Sequence, residues 1–277
     1  MSHAIRKAVA AVAAASAGWI GLMRPRTESP EALEKLKQYD YAHRGFHDEE
    51  NGIPENSMAA FQRGVEAGFG MELDVHLSKD GHLVVLHDHE LRRMCGVEGR
   101  VEDKTLEELE QLRLLGTEEK IPLLRQVLEL VDGKVPLIIE LKVMKNHEEL
   151  CQKVSKILDG YSGLYCIESF DPRAVAWYKK HRPEVVRGQL LTYLRKYGNT
   201  EYPALLDFAL RNLLTNCWTQ PDFIAYDVRE RENLSLQLCR KLYHVCEVDW
   251  TVRSLELYRK VKADHALAIF ENFDPRA

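Results

Sequence analysis

Gly70-Met71-Glu72-Leu73-Asp74-Val75 reads as a β-strand with two unlike faces. Successive side chains in a strand alternate sides, so Glu72 and Asp74 share one face while Met71, Leu73 and Val75 take the other. Two like charges on an apolar strand repel, and burying them is costly without a cation or hydrogen-bond donors. Taken alone, the stretch fits a polar strand end paired with arginines. A second strand, Pro136-Leu137-Ile138-Ile139-Glu140-Leu141-Lys142, shifts the balance, because it ends an apolar run with an acid and a base at the same alternate spacing. Three carboxylates and a lysine on neighbouring strand ends suit a hard divalent cation.

Outward from these two strands, the chain alternates short apolar runs with amphipathic helical patterns, the mark of repeated βα units. Strands are expected at 41–44, 70–75, 136–142, 164–169, 185–190, 223–226, 244–250 and 267–270. Helices are expected between them at 57–66, 123–130, 148–158, 173–181, 202–213, 234–242 and 254–261, each with apolar residues three and four apart. This predicts an α/β fold, a (β/α)8 TIM barrel, which matches a chain of 277 residues that is 45% hydrophobic. One long interruption, about 78–120, carries its own strand-like run (82–87) and helix (105–112) and reads as a small insertion after strand two. Residues 271–277 are too few for a full closing helix. The helix at 30–38, opened by Ser29-Pro30-Glu31, is therefore expected across the barrel floor or over the seam between the last strand and the first.

Active sites of such barrels form at the C-terminal ends of the strands. This chain places His43 and Arg44 after strand one, Glu72 and Asp74 on strand two, Glu140 and Lys142 on strand three, Glu168 and Ser169 on strand four, and Asp249 and Trp250 on strand seven. His87 ends the run that opens the insertion. Any one polar strand end follows simply from a strand emerging into water, and it is the conjunction that carries meaning. Carboxylates ligate Mg²⁺ or Ca²⁺, Arg44 and Lys142 bind phosphate oxygens, and two histidines exchange protons near neutral pH. Together they describe phosphodiester cleavage.

Nine pieces of the chain, in order, resemble the glycerophosphodiester phosphodiesterases over about 41–270. They are Ala42-His43-Arg44-Gly45, Pro54-Glu55-Asn56-Ser57, Glu72-Leu73-Asp74-Val75, Lys79-Asp80-Gly81, Val84-Val85-Leu86-His87-Asp88, Ile121-Pro122, Glu140-Leu141-Lys142, Ser169-Phe170 and Trp250-Thr251-Val252. The resemblance implies a divalent cation (Mg²⁺, Ca²⁺ or Mn²⁺) held by Glu72, Asp74 and Glu140, and catalytic histidines at His43 and His87. It further implies that Arg44, Glu55 and Lys142 surround the phosphate and that Trp250 lines the pocket. The expected reaction is hydrolysis of a glycerophosphodiester to glycerol 3-phosphate and an alcohol. Two alternatives stand beside it: a lysophospholipase D-like or phospholipase-type enzyme acting on lysolipids, and an inactive barrel that binds phosphate esters. Two departures from the family pattern touch the pocket. Arg253 stands where asparagine is usual, and Phe270-Glu271-Asn272 replaces the usual Thr-Asp ending of strand eight.

A net charge of -5 and a pI near 6.1 set nucleic acid aside as a partner. The six cysteines are scattered singly, as in a reducing cytoplasm rather than in a disulfide-stapled module. Residues 1–28 differ from the barrel at 29–277. His3, Arg6 and Lys7 precede an uncharged, alanine-rich run at 8–23, followed by Arg24 and Arg26. The run is shorter than the ~20 apolar residues of a spanning helix, and Ala15-Ser16-Ala17 has the form of an export cleavage site. A weak membrane anchor or surface-lying helix is the expectation, with export as its rival.

Overall fold

The alternation in the Gly70 strand is repeated in every strand of the barrel. A computed structural model describes residues 2–197 and 202–277. Eight parallel strands follow one another as β1 (Tyr41–Ala42), β2 (Gly70–Leu77), β4 (Leu137–Leu141), β5 (Tyr165–Ser169), β6 (Arg187–Leu191), β7 (Phe223–Asp227), β8 (Cys246–Val252) and β9 (Leu267–Phe270). Each pairs with the next, and β1 pairs with β9 (Tyr41↔Ile269), which closes the ring. The remaining strand, β3 (Leu83–Val85), folds back antiparallel on the far end of β2, so this hairpin stands above the barrel mouth.

The helices are α1 (His3–Leu22), α2 (Glu31–Leu36), α3 (Met58–Ala67), α4 (Arg92–Cys95), α5 (Leu106–Leu109), α6 (Leu124–Val131), α7 (His147–Leu158), α8 (Pro172–His181), α9 (Ala204–Arg211), α10 (Asn216–Thr219), α11 (Leu234–Tyr243) and α12 (Leu255–Ala263). Outward-facing Met71, Leu73, Val75, Leu137, Ile139 and Leu141 are buried beneath this helical layer. α4 and α5 lie in the stretch after β3, where Val84, Leu86, Leu91, Met94, Val101, Leu109, Leu114 and Ile121 form a separate small core. Strand one is shorter than the pattern suggested, because the backbone leaves the sheet at His43 and turns through Arg44 and Gly45, both with positive φ (53° and 78°).

The inner face is apolar below and charged above. Tyr41, Ile138, Cys166, Val186, Phe223, Val248 and Ile269 fill the lower barrel, and α2 seals it from beneath with Leu33 and Leu36. Tyr41 donates its hydroxyl to the Leu36 carbonyl at 2.9 Å. Of the two places expected for this helix, it takes the floor. The seam is covered by the C-terminal tail instead: Phe273 packs on Phe270 and Tyr258, and Arg276 lies over the Phe69 ring and donates to the Ala67 carbonyl at 2.8 Å. Leu36→Ala would leave a cavity under the barrel. It should cost about 2–4 kcal/mol and lower Tm by several degrees in a thermal melt; an unchanged Tm would mean that α2 is not part of the core.

Candidate active site

Three turns bring the polar side chains to the mouth. At the first, the left-handed pair Arg44-Gly45 reverses the chain over β2. There the Arg44 amide donates to Glu72 Oε2 at 2.9 Å and the Gly45 amide to the Glu72 carbonyl at 3.1 Å. A side chain at Gly45 would meet Ala60 of α3 at 3.0 Å, so glycine permits this close approach. The second turn carries Asn56, whose amide donates to the Arg44 carbonyl while its side chain donates to Asp74 Oδ2 at 2.7 Å. Ser57 then caps α3. The third is the end of β3, where Leu86 N–H donates to the Asp74 carbonyl and His87 follows beside it.

Strand register explains the acidic cluster. Asp74 lies opposite Glu140 and Glu140 opposite Glu168, all pointing inward at one level, with Glu72 on the same face of β2. Carboxylate oxygens of Glu72, Asp74 and Glu140 come within 4.8 Å of one another, and all three residues are buried. Lys142 Nζ bridges Asp74 Oδ1 and Glu140 Oε1, each at 2.8 Å. Lys142, expected beside the phosphate, thus also ties two of the acids together. Two of its three protons are directed at the acids, which leaves one for a substrate.

These charges set each other's proton affinities. Burial and the neighbouring acids Asp74, Glu140 and Glu168 push Glu72 well above the usual carboxylate range. Burial, only partly offset by Lys142, pushes Glu140 up to about 7. Asp74 goes the other way: burial raises it, but Lys142, His87 and Arg44 outweigh that and hold it well below. Burial and Glu140 push Glu168 well above the usual carboxylate range, and its Oε2 has no partner. Four buried acids thus face fewer cationic groups than they need. That imbalance, with an all-oxygen donor set, fits a hard divalent cation.

Both histidines are held by a carboxylate on Nδ1. His87 Nδ1 lies 2.7 Å from Asp88 Oδ1 and His43 Nδ1 lies 2.5 Å from Glu271 Oε2. Each ring therefore keeps Nε2 free of that carboxylate, and His43 Nε2 is 3.9 Å from Glu72. Burial lowers both histidines to about 4, helped by Arg44 at His43 and by Lys142 at His87, so both rings are neutral at pH 7. A chain of ion pairs links the two sides of the mouth: Arg44 to Glu55 (2.9 Å), Glu55 to Arg93 (2.6 Å), and Arg93 to Asp88 (2.5 Å). Arg44 Nε remains without a hydrogen-bond partner. Trp250 stands half-buried at the rim, edge-on to Phe170 with centroids 5.7 Å apart.

The site thus gathers His43, His87, Arg44, Glu55, Glu72, Asp74, Glu140, Lys142 and Trp250. It also contains residues to which sequence reasoning gave no role. Asn56 and Asp88 stood inside quoted motifs, and their neighbours took the attention. Glu168 was read as a polar strand end. Arg93 left no signal. Glu271 and Arg253 were noted only as departures, yet they meet: Arg253 Nε pairs with Glu271 Oε1 at 2.5 Å while the other oxygen holds His43. His47 lies 3.9 Å from the same carboxylate. Glu271→Ala should free the His43 ring and cost about 10- to 100-fold in turnover, a usual loss when the group orienting a site histidine is removed. Wild-type turnover in this variant would show that His43 needs no such support.

The sequence profile of the Glycerophosphoryl diester phosphodiesterase family matches residues 43–254. A glycerophosphodiester phosphodiesterase of Caldanaerobacter subterraneus is 39% identical over 168 residues, 56% of this chain and 67% of the relative. One from Bacillus altitudinis is 34% identical over 52% of this chain and 63% of its own length. The matched part thus spans about two thirds of the length of these two relatives. Lysophospholipase D GDPD1 of Rattus norvegicus is 39% identical over 39% of this chain and 37% of that protein. Among solved structures, the glycerophosphodiester phosphodiesterase of Thermotoga maritima superposes with a TM-score of 0.63 at 27% identity, covering 83% of this chain and 92% of its own. An Oleispira antarctica phosphodiesterase, solved with its product sn-glycerol-3-phosphate, gives 0.70 at 22% identity over 88% and 96%.

Proposed function

The chain belongs to the Glycerophosphoryl diester phosphodiesterase family, and from that premise we propose that it hydrolyses glycerophosphodiesters to glycerol 3-phosphate and an alcohol. The observation that carries this reading is the placement of two carboxylate-held histidines beside one buried acidic cluster. A divalent cation held by Glu72, Asp74 and Glu140 would supply positive charge against the phosphate oxygens. Arg44, whose Nε lies 3.7 Å from Asp74 and makes no hydrogen bond, and the remaining proton of Lys142 face the same anion and stabilise charge that builds up in the transition state. Asn56 and Lys142 hold Asp74 in place and keep it ionised.

The histidines divide the proton work. A neutral ring whose Nδ1–H is fixed by a carboxylate offers a lone pair on Nε2, the form required of a base that activates the nucleophile. The opposite role requires a protonated ring. Arrival of the anionic phosphodiester adds negative charge beside Nε2 and raises that ring's proton affinity, so one histidine becomes the acid only once substrate is present. The nucleophile is water or the neighbouring glycerol hydroxyl; a cyclic glycerol phosphate seen by phosphorus NMR would select the hydroxyl.

The test is release of glycerol 3-phosphate from a panel of glycerophosphodiesters, run beside a lysolipid panel. Activity should vanish in EDTA and return with Mg²⁺, Mn²⁺ or Ca²⁺. Full turnover in chelator would overturn the cation reading, and no turnover on either panel the enzymatic one. A lysolipid substrate is the second reading, and α1 favours it: this helix is long and apolar enough to cross a membrane, and none of it is buried. Membrane association through residues 8–23 is part of the proposal.

A further inference from the structure

The direction of α1 relative to the barrel adds a constraint. Helices of this fold run from the mouth, where each leaves a strand, down to the floor, and α11 descends in this way after β7. The last turn of α1 lies against α10 and α11. Trp19 Nε1 donates to Ser235 Oγ at 3.1 Å, and one turn later the Met23 carbonyl accepts from Cys239 Sγ at 3.7 Å and from Asn216 Nδ2 at 3.2 Å. The carbonyl of Ile20, between them, accepts from the Tyr243 hydroxyl at 2.7 Å, so the direction of α1 rests on its two ends. Trp19 stands by Phe208 and the start of α11, whereas Met23 reaches Asn216 and the Arg26 amide donates to the Pro221 carbonyl just before β7, on the floor side. Met23 is fully buried, and Trp19 meets Phe208 edge-on at 5.6 Å, so this turn is fixed to the body. Ser235 is the second residue of α11. Residues 3–18 therefore continue past its start, beyond the mouth, for about 24 Å at about 1.5 Å per residue.

All of those residues are exposed, and Arg6 and Lys7 are the only ionic side chains among them apart from His3. Where α1 leaves the body, three more apolar side chains are exposed on the mouth-side turns of α9 and α11: Leu205 (80%), Leu234 (69%) and Phe208 (37%). Isolated exposed leucines need no explanation, but a group at the base of an unpartnered apolar helix does.

We propose that α1 enters a phospholipid bilayer on the mouth side of the barrel, and that Leu205, Phe208 and Leu234 rest in its headgroup region, so the active site opens onto the lipid surface. An apolar helix with basic residues at one end, joined to aromatic and leucine side chains at the water boundary, is the composition that lipid interfaces bind. The geometry places the acidic cluster where a phosphodiester headgroup could reach it without the lipid leaving its leaflet. This deepens the phosphodiesterase reading and rests on it only for the substrate, since the membrane contact is measured separately.

The test uses the full chain with vesicles of phosphatidylcholine and phosphatidylglycerol. Wild type should float with the vesicles, and Val9→Glu/Val12→Glu in α1 should not. Leu205→Glu/Leu234→Glu should lower vesicle partitioning, and the rate on lysophosphatidylcholine embedded in vesicles, each by about tenfold, while leaving the rate on water-soluble glycerophosphocholine unchanged. The control is Trp218→Glu/Leu242→Glu, two exposed apolar residues at the floor end of the same face, which should change neither. If the floor pair matches the mouth pair, the barrel lies on its side and the orientation is wrong. If Val9→Glu/Val12→Glu floats like wild type, α1 does not enter the bilayer. Normal flotation without turnover on either substrate would overturn the phosphodiesterase reading and leave the membrane contact standing.

Discussion

Asp74→Ala is expected to remove turnover by roughly 10³-fold or more, since a bound cation contributes several kcal/mol to the transition state and each ~1.4 kcal/mol is a factor of ten. Asp74 is fully buried and is the one acid held from three sides, by Asn56, Lys142 and Arg44. Without it, the ammonium of Lys142 and the guanidinium of Arg44 face a site with one fewer negative charge, and the cation loses both a ligand and the reason to bind. The Asp74→Asn variant separates chemistry from packing, because it keeps the volume and loses the charge. Circular dichroism and Tm should remain near wild type for Asp74→Asn, while Mg²⁺ binding by calorimetry disappears. If Asp74→Asn binds Mg²⁺ and turns over like wild type, Asp74 is not a ligand.

His87→Asn should cost roughly 10²–10⁴-fold on a glycerophosphodiester, the usual range for a general acid. If His87 protonates the departing alcohol, most of that loss should be recovered on a p-nitrophenyl phosphodiester, whose leaving group needs no proton. His43→Asn, removing the base, should be equally deficient on both substrates. The reverse pattern, rescue with His43→Asn, would exchange the two roles. Equal losses on every substrate in both variants would mean that the rings bind phosphate without transferring protons.

What the sequence revealed follows from the range of the interactions. Period-two alternation placed Glu72, Asp74 and Glu140 on inward faces, because a strand's facing is a local property, and the recurrence of βα units implied the barrel. Lys142 was harder: its position directly after β4 was readable, but its pairing with Asp74 depends on which strands are neighbours. Glu271 lay furthest from reach. It sits 228 residues from His43 in the chain and meets it only because β9 closes against β1. α1 was obscure for another reason, since alanine gives little signal and its anchorage rests on Trp19 and Met23, two side chains in a run of small ones.

The Tyr41↔Ile269 pairing also has a consequence in time. Synthesis proceeds from the N-terminus, so α2 and β1 are made before the other barrel strands, yet the lower core that Leu33 and Leu36 fill is lined by strands as late as β9. Until residue 269 has left the ribosome, the floor helix has no finished cavity to enter and the free edge of β1 remains a template for wrong partners. A nascent chain of this kind waits with the apolar face of its floor helix uncovered.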